Sequence, residues 1–258
     1  MAKAKVVVGQ SSITAGQMKD FWRKVEDGTI GFENFGDFLE NPHKFISQSV
    51  TIVRALNILG SNKVVTAEQS GKTWGYEAPA NAPIRYSEEV LRKSAQSNRE
   101  AGTDFRLVYL TGYSLRELRQ KIGIDKKSQP CVYNNDWWLK SEQDGWSNEK
   151  PEAGYYLIDF NGRFARTSWD NQEKEIAGLV NYDRAHEATV AEAIVTIFKI
   201  TGERLLEGWY HWGRALTAYG LRACVGYFDT DGLNVIGVNP SYDDLDLLRV
   251  CLLRKFTN

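Results

Sequence analysis

Residues 209–256 constrain this chain most. Cys224-Val225-Gly226-Tyr227-Phe228-Asp229, Asp231-Gly232-Leu233-Asn234-Val235-Ile236 and Leu248-Arg249-Val250-Cys251-Leu252-Leu253-Arg254 are apolar, β-prone runs separated by turn signals, and Trp209-Tyr210-His211-Trp212 precedes them. That spacing predicts a compact antiparallel β unit with a Trp-rich segment at its entrance. In the last run Leu248, Val250 and Leu252 alternate with Cys251 and Leu253, both sets apolar, which predicts a strand buried on both faces.

A chain of 258 residues has room for one domain with an N-terminal extension, or for two small ones. Lys and Arg total 32 against 33 for Asp and Glu, so the overall charge provides no footprint for nucleic acid or for an anionic membrane. Shape, aromatic residues or local charge must therefore select a partner. The eight Trp and twelve Tyr suit binding surfaces that need an apolar face and a hydrogen-bonding edge, and they suit a core equally well. Cys131, Cys224 and Cys251 are too few and too widely spaced for a zinc knuckle or a disulfide framework, and are expected as buried free thiols. The start, with only Val6-Val7-Val8 as an apolar run, reads as neither signal peptide nor membrane span, so a cytoplasmic location is the expectation.

Local signals organise the rest. Thr14 and Gln17 form a capping box ahead of Met18, Phe21, Trp22 and Val25, and Phe32, Phe35, Phe38 and Leu39 follow after Gly28, so residues 14–42 predict a helix pair. Ser87 caps a helix reaching about Glu100, Phe105 to Leu110 is a strand, and Ser114 with Glu117 opens a helix ending at Gly123. The segment from Cys131 to Trp146 is polar and aromatic at once, either a loop pinned by its Trp residues or a surface that grips a ligand. Gly154 to Phe160 predicts a strand, with Asn161-Gly162 turning the chain back through Arg163-Phe164-Ala165. Helices are expected at about 170–179 and 185–200. The resulting boundaries are a helical N-terminal module with a flexible lead-in at 1–48, a connecting region with one helix at 49–102, and a main domain at 103–258.

Chemical motifs are sparse. Gly71-Lys72-Thr73 has Thr66 where a phosphate loop needs glycine, and His186-Glu187 lacks the second histidine of a zinc-peptidase helix, leaving Glu187 a role at the helix dipole. No Ser lies in a nucleophile elbow. Asp229, Asp231, Asp243, Asp244 and Asp246 permit carboxylate-pair chemistry, but Asp231-Gly232 is also a hairpin turn and Asp243-Asp244 a polar loop. The same acids suit Ca²⁺, although Asp229-Thr230-Asp231-Gly232 lacks the further ligands of a helix–loop–helix site. Trp209, Tyr210, His211, Trp212, Tyr219 and Tyr227, with Asp229, Asp231, Asn239 and Asp243, are the candidate ligand-binding residues. Trp209 and Trp212 fit equally well as core anchors.

From residue 154 the order of strand, two helices, Trp-rich strand and three closing strands resembles the C-type-lectin-like fold, and most of all the bacterial major paralogous domains and the retroelement-diversified variable proteins. The residues in the matching places are Glu192 on the helix, Trp209 to Trp212, Val225 to Asp229, Leu233 to Val238, and Leu248 to Arg254 with Cys251 at the cysteine position. The G-F-R-L-P-T-like entry of many relatives is missing. The resemblance implies an α+β protein: a C-type-lectin-like body with a mainly antiparallel sheet and two helices, plus the small helical N-terminal module. It implies non-catalytic recognition of a protein or glycan, with no catalytic residue, cofactor or metal assigned and no nucleic acid or membrane as partner. The alternatives are a carboxylate-based hydrolase acting on a sugar or phosphate substrate, and a structural or assembly factor docking through the N-terminal helix pair.

Overall fold

The computed structural model describes residues 50–256 together with Lys19, Trp22 and Arg23, which are helical. The chain divides into units at 1–48 and 49–258. The helix pair expected at 14–42 otherwise lies outside the described residues.

Capping chemistry sets the helices of the larger unit. Thr51 Oγ1 accepts from Arg54 N at the start of α1 (Ile52–Leu59), and Thr66 forms a capping box with Gln69 at the start of α2 (Ala67–Trp74). Between them runs the short strand β1 (Val64–Val65). Gly71-Lys72-Thr73 therefore lies inside a helix and forms no phosphate loop ahead of one. Ser87 caps α3 (Glu88–Glu100), β2 (Phe105–Leu110) follows, and the box of Ser114 and Glu117 opens α4 (Leu115–Ile122), all as expected from sequence. The stretch 49–102, read as a connection with one helix, thus contributes three helices and a strand.

After the single turn α5 (Asp144–Ser147) come β3 (Gly154–Arg163), α6 (Trp169–Ala177), β4 (Tyr182–Arg184) and α7 (Glu187–Thr201). The chain closes with β5 (Tyr210–Leu216), β6 (Arg222–Asp229), β7 (Gly232–Val238) and β8 (Leu248–Arg254). The fold is α+β, with one mainly antiparallel eight-stranded sheet in the order β1-β2-β3-β8-β5-β6-β7 and β4 beside β8. Among the described residues seven α-helices lie within the larger unit, four of them after residue 103 where the lectin-like plan had two.

Two sequence expectations about β pairing are corrected. The three closing runs do not form a unit by themselves, because β8 leaves β6 and β7 to lie antiparallel to β3 and parallel to the start of β5. The turn at Asn161-Gly162 is absent. Strand β3 runs through it with a register shift, and Arg163 pairs with Val250 instead of folding back. Asn161 N donates to Asp159 Oδ1 at 3.1 Å. Gly162 (φ 70°) supplies a left-handed backbone under the Trp209 ring, where a Cβ would come within 2.8 Å of Cη2.

The sheet separates two apolar layers. On one face Val108, Leu110, Tyr156, Ile158, Val225 and Val235 pack around α7; on the other Phe105, Leu107, Tyr109, Tyr155 and Leu157 pack beneath α1 and α3. Every residue of α7 from Glu187 to Ile197 is buried, so this stretch has no solvent face and its polar groups need internal partners; only the last turn, with Lys199 and Thr201, reaches solvent. Glu192 finds them in Thr111 N and Oγ1, Gly112 N and Tyr113 N at 2.6–3.1 Å, which pins the turn between β2 and α4. Burial raises its pKa while those donors act against the rise. Arg106, 4% exposed, forks onto Glu203 at 2.6 Å and onto Asp104, which also pairs with Lys63. Burial opposes the Arg106 charge, but the two carboxylates outweigh it and raise its pKa.

The free edge of β7 is covered by the segment after Cys131. Leu233 N donates to Cys131 O and Tyr133 N to Leu233 O, both at 2.8 Å, while the Asn135 and Trp137 side chains donate to Val235 O. Trp138, fully buried, donates to Asn135 Oδ1, and Trp146 to Gln143 Oε1. The segment is thus a loop pinned by its Trp residues, the first of its two sequence readings. All three cysteines are free and buried. Among the described residues no helix is long and apolar enough to cross a membrane.

Candidate functional site

Strand alternation divides the Trp-rich segment. His211 and Trp212 have no solvent exposure and Tyr210 only 7%, so the segment reads largely as core. His211 sits where β8 passes from its pairing with β5 at Leu248 and Arg249 to its pairing with β4 at Leu252. Its Nδ1 accepts from Cys251 N at 3.1 Å and its Nε2–H donates to Ala185 O at 2.9 Å, so the ring replaces ladder hydrogen bonds across the split. Full burial, with the Arg184 charge nearby, pushes its pKa down to about 3. A ring with both nitrogens bonded to backbone has nothing left for a ligand. Trp212 packs with Cys224, Val238 and Leu248.

Trp209 is half-buried beside Gly162 with Arg249 over its ring, centroid distance 5.8 Å. Tyr219 is 50% exposed but belongs to the β5–β6 turn, at the far end of that hairpin, where its hydroxyl donates to Glu142 Oε1. Asn239 Oδ1 accepts from Ser241 N and Oγ in the connection after β7, and Asp243 is exposed further along it. Val238 pairs with Arg222, so this connection also starts at the end remote from Tyr227.

The structure does bring together Tyr210, Tyr227, Asp229 and Asp231. Between Gly226 and Asp229 strand β6 carries one residue more than β7, and this bulge holds Tyr227 at φ 45° with 41% of its surface exposed. Its ring stacks on Tyr210 with centroids 5.4 Å apart and planes 22° from parallel. Stacking demands a bare backbone below it: a Cβ on Gly226, whose φ is 143°, would lie 2.4 Å from Trp209 O. Tyr210 Oη accepts from Asn234 Nδ2 at 2.8 Å, and Asn234 Oδ1 accepts from Asn135 Nδ2 at 3.0 Å, so two amides continue the tyrosine surface. Burial raises the Tyr210 pKa, and the Asp229 charge adds to the rise.

At the adjoining turn Asp229 Oδ1 accepts from Asp231 N at 2.7 Å, and Asp231 pairs with Lys126 at 2.9 Å. The Asp231 hydrogen bond raises the Lys126 pKa, and Lys126 also lies over the Tyr133 ring at 5.6 Å. Asn135, Asn234, Tyr133 and Lys126 were not singled out as binding residues from sequence; the Tyr133 to Trp138 segment hinted at two of them, Tyr133 and Asn135. The acids that permitted carboxylate-pair chemistry have separate contacts: Asp229 closes a turn, Asp231 pairs with Lys126, and Asp246 lies near Arg249 and Arg166.

Two carboxylates converge elsewhere. At the start of α7 His186 Nδ1 accepts from Ala188 N at 3.1 Å, and its Nε2 lies 3.3 Å from Glu149 Oε1 and 3.6 Å from Glu187 Oε1. Glu187 Oε2 accepts from Arg214 N at 3.2 Å, whereas Glu187 Oε1 and His186 Nε2 are buried without a hydrogen-bond partner. Among the described residues no group of three or more His, Cys, Asp or Glu is arranged to hold a metal ion. A separate cleft of about 1070 Å³ is lined by residues such as Ile52, Leu56, Tyr76, Ala78, Pro83 and Tyr155, and by none of the sequence candidates. The hydroxyls of Tyr76 and Tyr155 are already bonded to Ser70 Oγ and to Ala67 N. Comparison with known protein families, with curated proteins and with solved structures finds no match to this chain.

Proposed function

We propose that this chain is a non-catalytic binding protein that recognises a protein or glycan ligand through the surface of Tyr227, Tyr210, Asn234 and Asn135, with Asp229, Asp231 and Lys126 at its rim. One observation carries this reading: a tyrosine held at φ 45° in a bulge, exposed, and stacked on a second tyrosine. A non-glycine residue in that region costs about 1–3 kcal/mol, more than the roughly 0.5–1.5 kcal/mol of an aromatic pair returns. Folding alone therefore favours Gly here, and a flat aromatic face presented to solvent is what a sugar ring or peptide requires.

The body follows the C-type-lectin-like plan in this proposal. The pairing of β3 with β8, which puts Tyr156 and Val250 in one sheet, supports that plan, as does the β5-β6-β7 meander that carries the tyrosines. Strands β1 and β2 and helices α1 to α3 are additions to it. The hydrolase alternative loses support from the separate roles of Asp229, Asp231 and Asp246.

The test uses the whole protein on a glycan array and against a panel of immobilised purified proteins, alongside Tyr227→Ala and Tyr219→Ala. The proposal expects a specific ligand whose binding Tyr227→Ala removes while the protein stays folded with a cooperative melting transition, whereas Tyr219→Ala retains it. Retention of that ligand by Tyr227→Ala, or no specific ligand on either platform, refutes it.

A further inference from the structure

We infer that the cleft between α1, α2 and residues 75–84 binds a neutral, largely apolar small molecule through one carbonyl oxygen, which accepts a hydrogen bond from the Tyr155 hydroxyl. This site is independent of the tyrosine surface. The cleft has room: about 1070 Å³ accommodates a drug-sized ligand, whose sites span roughly 300–1,000 Å³. Its loop wall is held at both ends. Gly75 N and Tyr76 N donate to Gly71 O at 2.8 and 3.0 Å, and a Cβ on Gly71 would lie 2.8 Å from Tyr76 O, so the loop seats directly on α2. At the other end Ile84 bridges to Val50.

An unmet hydrogen bond selects the ligand. Ala67 and Tyr155 line the cleft together, and Ala67 N–H, which can only donate, is bonded to Tyr155 Oη at 3.0 Å. The phenolic proton must therefore find an acceptor elsewhere, and among the described residues it has none. Tyr155 is only 4% exposed, and burial raises its pKa, so the hydroxyl keeps that proton. Ile52, Leu56 and Pro83 make the lining apolar, while its charged residues, Glu68, Lys72 and Glu77, are exposed. An anion finds Lys72 already paired with Glu68 at 2.7 Å, and a cation meets a hydroxyl that presents a proton. A ketone, ester or amide oxygen takes the proton without bringing a charge, and the apolar remainder of the molecule lies against Ile52 and Leu56.

Prodan, a neutral naphthyl ketone whose fluorescence moves to the blue in apolar surroundings, is titrated into the full-length protein. The expected result is one saturable, blue-shifted signal. Tyr155→Phe keeps the ring against Tyr109 but loses the phenolic proton, and weakens the affinity about fivefold. The propyl analogue of Prodan, which lacks the carbonyl, binds more weakly and binds wild type and Tyr155→Phe alike, a result that a merely structural role for the hydroxyl does not produce. Ile52→Trp fills the cleft from its half-buried wall and abolishes the signal, whereas Tyr227→Ala leaves it unchanged. Should Tyr155→Phe fail to fold, Ile52→Trp and the weaker binding of the analogue to the wild type decide. No saturable signal, full affinity for Prodan in Tyr155→Phe or in folded Ile52→Trp, or loss of the signal in Tyr227→Ala overturns the assignment.

Discussion

Replacing His211 by Gln is expected to flatten the acid side of the stability profile. The ring is neutral in the folded protein because full burial holds its pKa near 3, against an ordinary value of 6.5. Above pH 6.5 the residue is uncharged in both states and contributes no pH dependence. Below it the unfolded chain binds a proton at this position and the folded chain does not, so stability falls as the pH falls, until the folded ring also titrates near pH 3. Integrating between pH 7.5 and pH 5.0 gives a loss of about 2 kcal/mol from this group, approaching about 5 kcal/mol at the acid limit. Urea unfolding at a series of pH values measures it. The carboxylates titrate in both proteins, so the wild-type loss minus the variant loss isolates His211, whatever the variant costs at neutral pH. A difference below about 0.5 kcal/mol over that interval refutes the buried, neutral ring bridging Cys251 N and Ala185 O.

Tyr227→Gly removes the left-handed strain and is expected to leave urea stability unchanged or raised by up to about 1 kcal/mol; a clear loss contradicts the strain argument. Glu192→Gln cannot accept all four hydrogen bonds of the 111–113 turn and is expected to lower stability by about 3 kcal/mol, with faster amide exchange at Thr111 to Tyr113. Arg106→Ala leaves Asp104 and Glu203 without their buried cation and is expected to cost about 3 kcal/mol in urea unfolding, since one partner, Glu203, is half-exposed and recovers hydration. Gly213→Ala drives a methyl group against Ala223 O and Glu187 Oε2 and is expected to lower the melting temperature by several degrees, as read by calorimetry.

What was legible in the sequence was short in range. Ser87 and the Ser114/Glu117 box announced α3 and α4 because a cap bonds within three residues of itself. Leu248 to Leu253 declared a doubly buried strand through Leu248, Val250 and Leu252 on one face and Cys251 and Leu253 on the other. The tyrosine surface was half legible: Tyr210, Tyr227, Asp229 and Asp231 came from their own runs, while Asn135 and Lys126 reach them from about 100 residues away in the chain. His211 looked like a site residue because His beside Trp is read alike whether a sheet splits around it or leaves it in solvent.

The amino-acid sequence by itself determined the helix caps, most strand segments and the absence of any dominant charge, all of which follow from hydrogen bonds and side-chain periods a few residues long. Tertiary structure alone decided that β3 runs past Asn161-Gly162 to reach β8, which strand face is covered, and that His186, Glu187 and Glu149 meet. Those outcomes depend on which distant segments share a sheet edge or a buried layer. Pairing energy between residues so far apart along the chain leaves no mark in a local window.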